Sequence, residues 1–433
     1  MAFKKLFILL FTIGLLASTS LHAQEARWFK HQIATLCGGP MGGRGYVDKG
    51  REKAAAYILR KFREAGLKPI GADSIWSQTY SFPVNTFPGI VSLEVNGKAL
   101  KPGEEFLVDA ASPSFKESKM KITRVDVSGI KTKEAWDAQK AKLTKTDRAY
   151  YLKGTDSLSK MLGIRSSHFA AQLPKGAYLL PVHGKMNWTV ATDTIPATVF
   201  YVQDSAIRKK PKKASIEVTA KFERALKSSN IIAQVPGTEV PDSFIVITAH
   251  YDHLGKMGDL AVFPGASDNA SGTAMMLWLA GYYATHPQRY SVLFIAFSGE
   301  EAGLLGSKFY VEHPVVPLTQ MRFLLNLDIM GDASNGVTVV NATEYPKAFS
   351  LLQSINQKKG YLPEIKSRGK AANSDHYLFS EAGVPAFFMY SNGGPGYYHD
   401  VLDKPGTLPL ANIPETAKLL QDFITALNAP GPL

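Results

Sequence analysis

From Asn230 onward, short apolar runs alternate with stretches whose apolar side chains recur at helical spacing. The runs Phe244–Ala249, Val292–Phe297, Phe323–Leu327, Val337–Val340 and Pro385–Tyr390 have the length of strands and are apolar on both faces, as strands covered by helices are. Between and after them, Ser271–Ala284, Ala302–Glu312, Pro346–Lys359, Ser374–Ala382 and Pro414–Leu427 read as helices. Alternation of this kind predicts an α/β fold with a mostly parallel central sheet flanked by helices. Sites on such sheets form at the carboxyl ends of the strands.

Further toward the N-terminus, Ala54, Tyr57, Ile58 and Phe62 mark an amphipathic helix over Gly50–Gly66, with Gly66 as the stop. Between Phe82 and Lys221 the texture changes. Short β-prone runs (Ile90–Val95, Ala149–Leu152, Ala177–Pro181, Ala197–Val202) are separated by Gly, Pro, Asp and Lys, with one helical stretch, Lys133–Leu143. The expected organisation is therefore an N-terminal part of the main domain over 24–81, a smaller β-rich insert over 82–221, and the remainder of the main domain over 222–433. Residues 1–23 have the pattern of a signal peptide: Lys4 and Lys5, an apolar run from Leu6 to Ala17, and a cut after Ala23. That run is shorter than the roughly 20 residues a membrane anchor needs.

Composition narrows the chemistry. With 45% hydrophobic and 20% charged residues the chain is ordinary for a globular protein. Cleavage after Ala23 removes two lysines, lowering the net charge of +12 to +10. The positive residues are scattered apart from Arg208–Lys210 and Lys212–Lys213, a solvated connector, so no nucleic-acid partner is expected. Cys37 is the only cysteine. Internal disulfides and thiolate metal sites are thereby excluded, and any metal must be held by imidazoles and carboxylates.

Five polar clusters lie just beyond the expected strand ends or in the following loops: His250-Tyr251-Asp252, Asp268-Asn269, Gly299-Glu300-Glu301, Asp328 and Tyr398-His399-Asp400. Any one of them has an ordinary explanation; Asp268 suits a helix start and Glu300 and Glu301 suit a helix N-terminus. The ordered series of five does not, because buried charge is costly unless paired or bound to metal. Nitrogen and carboxylate ligands without sulfur fit zinc, and five of them with one shared acid suit two ions about 3.5–4 Å apart.

Ala249-His250-Tyr251-Asp252, Gly265–Gly272, Gly299-Glu300-Glu301, Asn326-Leu327-Asp328 and Tyr398-His399 together resemble the ordered motifs of the M28 zinc peptidases, over Ser229–Asn428. Met41–Arg44 and the helix after it resemble that family's N-terminal part. The resemblance implies the zinc aminopeptidase fold and two zinc ions per chain. His250 and Asp328 would bind one ion, Glu301 and His399 the other, and Asp268 would bridge. It implies Glu300 as general base, Asp252 as the acid orienting His250, and Tyr398 as a hydrogen-bond donor to the oxyanion. Asp375 and His376, in Ser374-Asp375-His376, would support the site or touch substrate. His253 and Asp403 carry no ligand role in this reading, and the Asp268–Asn269 bond is a candidate cis peptide. Gly176–Val202 resembles part of the protease-associated domain that many of these enzymes carry as an insert.

The expected activity is an exported exopeptidase acting on peptides with a free N-terminus. Asn269-Ala270-Ser271 is a glycosylation acceptor beside the bridging acid, which favours a bacterial periplasm over a eukaryotic secretory lumen. Three alternatives stay open: a glutaminyl-peptide cyclotransferase on the same fold, a zinc carboxypeptidase, and a non-catalytic receptor-like binding protein. The first keeps one zinc and the last has broken ligands, so the complete set of five argues against both.

Overall fold

The computed structural model describes residues 24–429; the expected signal segment 1–23 lies outside them. The chain builds two eight-stranded sheets. The first consists of β1 (Ser77–Thr86), β2 (Lys221–Val235), β3 (Val240–His250), β4 (Tyr290–Phe297), β5 (Met321–Leu327), β6 (Val337–Val340), β7 (Ile365–Ser367) and β8 (Ala386–Ser391). Their order across the sheet is β1-β2-β4-β3-β5-β8-β6-β7.

The four central strands, β4, β3, β5 and β8, are mutually parallel. The centre of the sheet is parallel as expected, and its flanks are antiparallel: β1 to β2, β2 to β4, and β6 to β8. Mixed sheets of this kind keep parallel strands where helices cover both faces and place antiparallel ones toward the edges. In β3, Ile245, Ile247 and Ala249 join a core with the helices Gly50–Glu64, Gly272–Thr285 and Ile413–Leu427. The alternate residues Phe244 and Val246 join a second core on the opposite face with Tyr310 and Phe379, from the helices Leu305–Glu312 and His376–Glu381. The period of two thus divides one apolar run between two cores.

Parallel alignment brings three carboxyl ends together. His250 lies opposite Phe297, and Thr248 opposite Asn326, so the residues that follow β4 and β5 emerge beside the end of β3.

The second sheet is drawn from residues 91–218. Its strands Phe115–Asp126, Arg148–Lys153, Gly176–Val182 and Ala197–Gln203 run parallel, with the helices Lys133–Lys140 and Thr155–Leu162 between the first three. Strands dominate this part of the chain, around a parallel core in which strands and two short helices alternate. The strands leading into and out of it, β1 and β2, pair with each other in the first sheet.

Candidate metal centre

His250 ends β3 and is 1% exposed. Its Nε2 stands 3.3 Å from Oδ1 of Asp268 and 3.3 Å from Oδ1 of Asp328, the residue that follows β5. On the other side of Asp268, Oδ2 lies 3.4 Å from Nε2 of His399, and that nitrogen lies 3.0 Å from Oε2 of Glu301. The two carboxylate oxygens of Asp268 therefore face two different imidazole–carboxylate pairs.

Asp268 is aimed by its turn. Residues Ala266–Ser271 form a wide turn into the helix Gly272–Thr285, and the Asp268–Asn269 peptide bond is cis. The Asn269 side chain donates to the carbonyl of Leu327 and accepts from the amides of Gly272 and Ile329, stitching the turn to the end of β5. Gly272 is required there by close approach: a Cβ would come within 2.4 Å of the Leu327 carbonyl oxygen. Asp403 accepts from the amides of Ser267 and Asp268 at 2.9 and 3.1 Å. Arg44, fully buried, donates to the carbonyls of Leu36, Tyr251, Pro264 and Gly265. The N-terminal segment thus clamps the loop that carries Asp268.

The electrostatics follow from crowding charge away from water. Against the effect of burial, the imidazoles of His250 and His399 hold Asp268 well below the usual carboxylate range. Burial likewise opposes ionisation of Glu301, but His399 and His253 hold it down at about 2. His399, desolvated itself, is raised to about 11 by Glu301 and Asp268. Glu300 behaves oppositely: burial pushes its carboxyl well above the ordinary value, and although His250 counteracts this, Glu301, Asp375 and Asp328 add to the rise. Two adjacent glutamates are thereby driven apart in acidity.

These residues fit a metal. Nitrogen–oxygen separations of 3.0–3.4 Å match the edge of a zinc tetrahedron with bonds of about 2.0–2.1 Å. Nε2 of His399 is buried, close to two carboxylate oxygens, and has no hydrogen-bond partner. A nitrogen that would exchange its proton for a cation has this geometry.

The structure brings together all five expected ligands, and it adjusts the roles around them. Nδ1 of His250 meets the main-chain carbonyl of Asp252 at 3.1 Å, while the Asp252 carboxylate is 3.8 Å away. That carboxylate instead accepts from the Glu300 amide and the Tyr46 hydroxyl. His253 bonds Oε1 of Glu301 at 2.7 Å and lies 4.0 Å from Asp268; its spacing three residues after His250 was the available signal. Ser374, rather than His376, touches a ligand, donating to Oδ2 of Asp328 at 2.9 Å. His376 is buried beside Phe388, and desolvation lowers its imidazole to about 4. Asp375, fully buried, is pushed up to about 7 by the same cause. Tyr398 is 47% exposed and stacks on the His399 ring at 3.8 Å. Burial of its hydroxyl and the carboxylates beyond it hold the phenol well above its ordinary value. A cavity of about 70 Å³ opens beside Asp268, walled by Ile329, Tyr397, Tyr398 and Leu408.

Residues 230–424 match the profile of Peptidase family M28. Aminopeptidase YwaD of Bacillus subtilis (strain 168) is 29% identical over 204 residues, 44% of this chain and 41% of its own length. A probable zinc metalloprotease of Pyrenophora tritici-repentis (strain Pt-1C-BFP) is 36% identical over 110 residues, 24% of this chain and 22% of its own. The matches to these curated relatives thus span less than half of each. Two solved structures share the fold over nearly the whole chain. BSAP, a zinc aminopeptidase from Bacillus subtilis, superposes with a TM-score of 0.65 at 19% identity, over 93% of this chain and 94% of its own. An aminopeptidase from Aneurinibacillus sp. strain AM-1 gives 0.62 at 20% identity, over 94% and 95%.

Proposed function

Residues 230–424 being a domain of peptidase family M28, we propose that the protein is a di-zinc exopeptidase that hydrolyses the N-terminal peptide bond of peptides. The observation that carries this reading is Asp268, whose two oxygens face separate imidazole–carboxylate pairs. His250 and Asp328 would hold one zinc ion, Glu301 and His399 the other, with Asp268 shared. Bound there, zinc supplies Lewis acidity toward the scissile carbonyl and lowers the pKa of water.

The remaining work falls to the chain. Glu300, whose carboxyl burial makes more basic than usual, takes a proton from the attacking water and delivers it to the departing amine nitrogen. Asp252 holds the Glu300 amide and so fixes where that carboxyl starts from. Tyr398, neutral at any working pH, is the donor for the developing oxyanion. The carboxylates around Asp268 attract the substrate's free amine, and the cavity between Ile329 and Leu408 takes the first side chain.

The module near 82–221 is an insert in this enzyme, and the chain is exported to a bacterial periplasm after cleavage near Ala23. The leader-like pattern of residues 1–23 is what supports that location. Among the described residues no helix is long and apolar enough to cross a membrane. The Asn269 side chain is fully buried and hydrogen-bonded to Leu327 and Gly272, so the acceptor triplet has no bearing on location.

Incubating the mature protein with a mixed peptide pool and following masses tests the activity. Loss of residues from the N-terminus is expected. Loss from the C-terminus would make it a carboxypeptidase, ammonia loss from N-terminal glutamine a cyclotransferase, and an unchanged pool a binding protein.

A further inference from the structure

Four of the five proposed ligands are held by the main domain's own framework. His250 ends β3, Asp328 follows β5 directly, Glu301 follows β4 by a short turn, and Asp268 is clamped by Arg44, Asn269 and Asp403. His399 is different. It lies eight residues beyond the end of β8, after the run Gly393-Gly394-Pro395-Gly396, and it adopts the left-handed backbone region with φ 56°. A glycine-rich run has no intrinsic stiffness, and a non-glycine residue keeps that conformation only where its surroundings impose it.

The main domain holds the ends of this loop, with the Gly393 amide donating to the Asp332 carbonyl and Asp403 accepting from Ser267 and Asp268, and the inserted module holds its middle. The segment after its strand Gly176–Val182 reaches across to the His399 loop. The Trp188 amide donates to the His399 carbonyl at 3.2 Å, and Nδ1 of His399 donates to the Trp188 carbonyl at 2.9 Å. Lys185 donates through Nζ to the carbonyls of Gly396 and Tyr398, at 2.8 and 2.6 Å. Trp188 is itself anchored: its indole stacks on Phe263 at 4.8 Å, and its Nε1 donates to the Val108 carbonyl at 2.8 Å.

A main-chain carbonyl can only accept, so Nδ1 of His399 must carry the proton in this bond. Nε2 is then the nitrogen presented to Asp268 and Glu301, and its ring plane is set by an atom of the insert. Ligating histidines are commonly fixed through their second nitrogen in this way.

We propose that Trp188 and Lys185, from the inserted sheet, are positioning residues for His399, so that the insert assembles one half of the metal site. The inference rests on the di-zinc reading above. It gives the insert a task distinct from supplying a ligand: without residues 185–188 in place, the His399 imidazole is no longer held toward Glu301 and Asp268.

The test compares Trp188→Ala, Trp188→Phe, Lys185→Met and the distant insert variant Lys209→Ala with the wild type. Each metal-free protein is first checked by circular dichroism and thermal melting, then titrated with Co²⁺ while visible absorption and bound stoichiometry are recorded. Trp188→Ala keeps the main-chain carbonyl but removes the indole that anchors it to Phe263 and Val108, so the variant should keep its fold and one tight Co²⁺, bind the second about 10–100-fold more weakly, and show an altered spectrum for that ion alone. Lys185→Met should shift in the same direction by less. Trp188→Phe, which retains an aromatic ring against Phe263, should recover most of the loss, and Lys209→Ala should match the wild type. The proposal is overturned if folded Trp188→Ala binds both ions with the wild-type spectrum, or if it loses both ions equally. A wild-type protein that takes up only one Co²⁺ would instead overturn the di-zinc reading, and this assignment with it.

Discussion

The hydroxyl of Tyr46 donates to Oδ2 of Asp252 at 2.8 Å, although 206 positions separate the two in the chain. Burial and the Asp252 charge hold the phenol well above its ordinary value, so Tyr46 remains a neutral donor. The other Asp252 oxygen accepts the Glu300 amide at 3.3 Å, which links the N-terminal segment to the proposed general base. Tyr46→Phe leaves a buried carboxylate short of one partner. It should lower stability by about 1–3 kcal/mol, read from chemical denaturation, and reduce kcat more than it raises KM.

The adjacent glutamates should separate cleanly. Glu300→Gln is nearly isosteric and removes only the proton acceptor, so both zinc ions should stay bound while turnover falls about 10²–10⁴-fold. Glu301→Ala deletes a proposed ligand beside His399, so zinc content should drop from two toward one, with a metal-dependent loss of thermal stability. Paired metal analysis and kinetics in one buffer decide the assignment. Loss of a metal from Glu300→Gln with retention of both by Glu301→Ala would reverse it.

Asp375 gives a pH dependence with a definite sign. Its folded pKa is raised by burial to about 7, above the value of about 3.9 for an unfolded chain. The folded state therefore favours the protonated carboxyl. That stabilisation is present below about pH 4 and is lost as pH rises through about 7. In metal-free protein, Asp375→Asn should flatten this decline and melt at a higher temperature than wild type at pH 8. Parallel melting curves for the two proteins from pH 5 to 8 would contradict it.

Arg44 donates to five carbonyls, those of Leu36, Tyr251, Pro264, Gly265 and Asp268, with no exposure to solvent. Arg44→Met keeps the apolar stem and strands those carbonyls, so a loss of about 3 kcal/mol or more is expected by denaturant unfolding. Metal affinity should fall with it, since the loop between Pro264 and Asp268 loses its clamp. A variant with wild-type stability and wild-type zinc content would show that the clamp is dispensable.

Much of this was written in local pattern. The runs Phe244–Ala249 and Val337–Val340 and the helix Pro346–Lys359 were legible because apolar periodicity follows from backbone geometry alone. The five polar clusters were legible because carboxylates and imidazoles stood just past apolar strands or in the loops that follow them, where water-excluded charge demands a reason; which residue of each cluster would bind metal is what the family resemblance implies. What local pattern missed, neighbours decided. Phe115–Asp126 is rich in lysine and mostly solvent-facing, so nothing in its own composition marks it as a central strand; Lys213–Val218 and Arg148–Lys153 on either side make it one.

The site divides in the same way. Residue identity at each strand end set which donor atoms are available, since only nitrogen and oxygen donors were on offer in a chain with one cysteine. Their orientation came from residues far away in sequence: Arg44 and Tyr46 from the N-terminal segment, and Trp188 and Lys185 from the insert. A donor type is a property of one side chain and can be read from the sequence. A hydrogen bond across 200 positions depends on where two folded elements come to rest, and packing alone determines that.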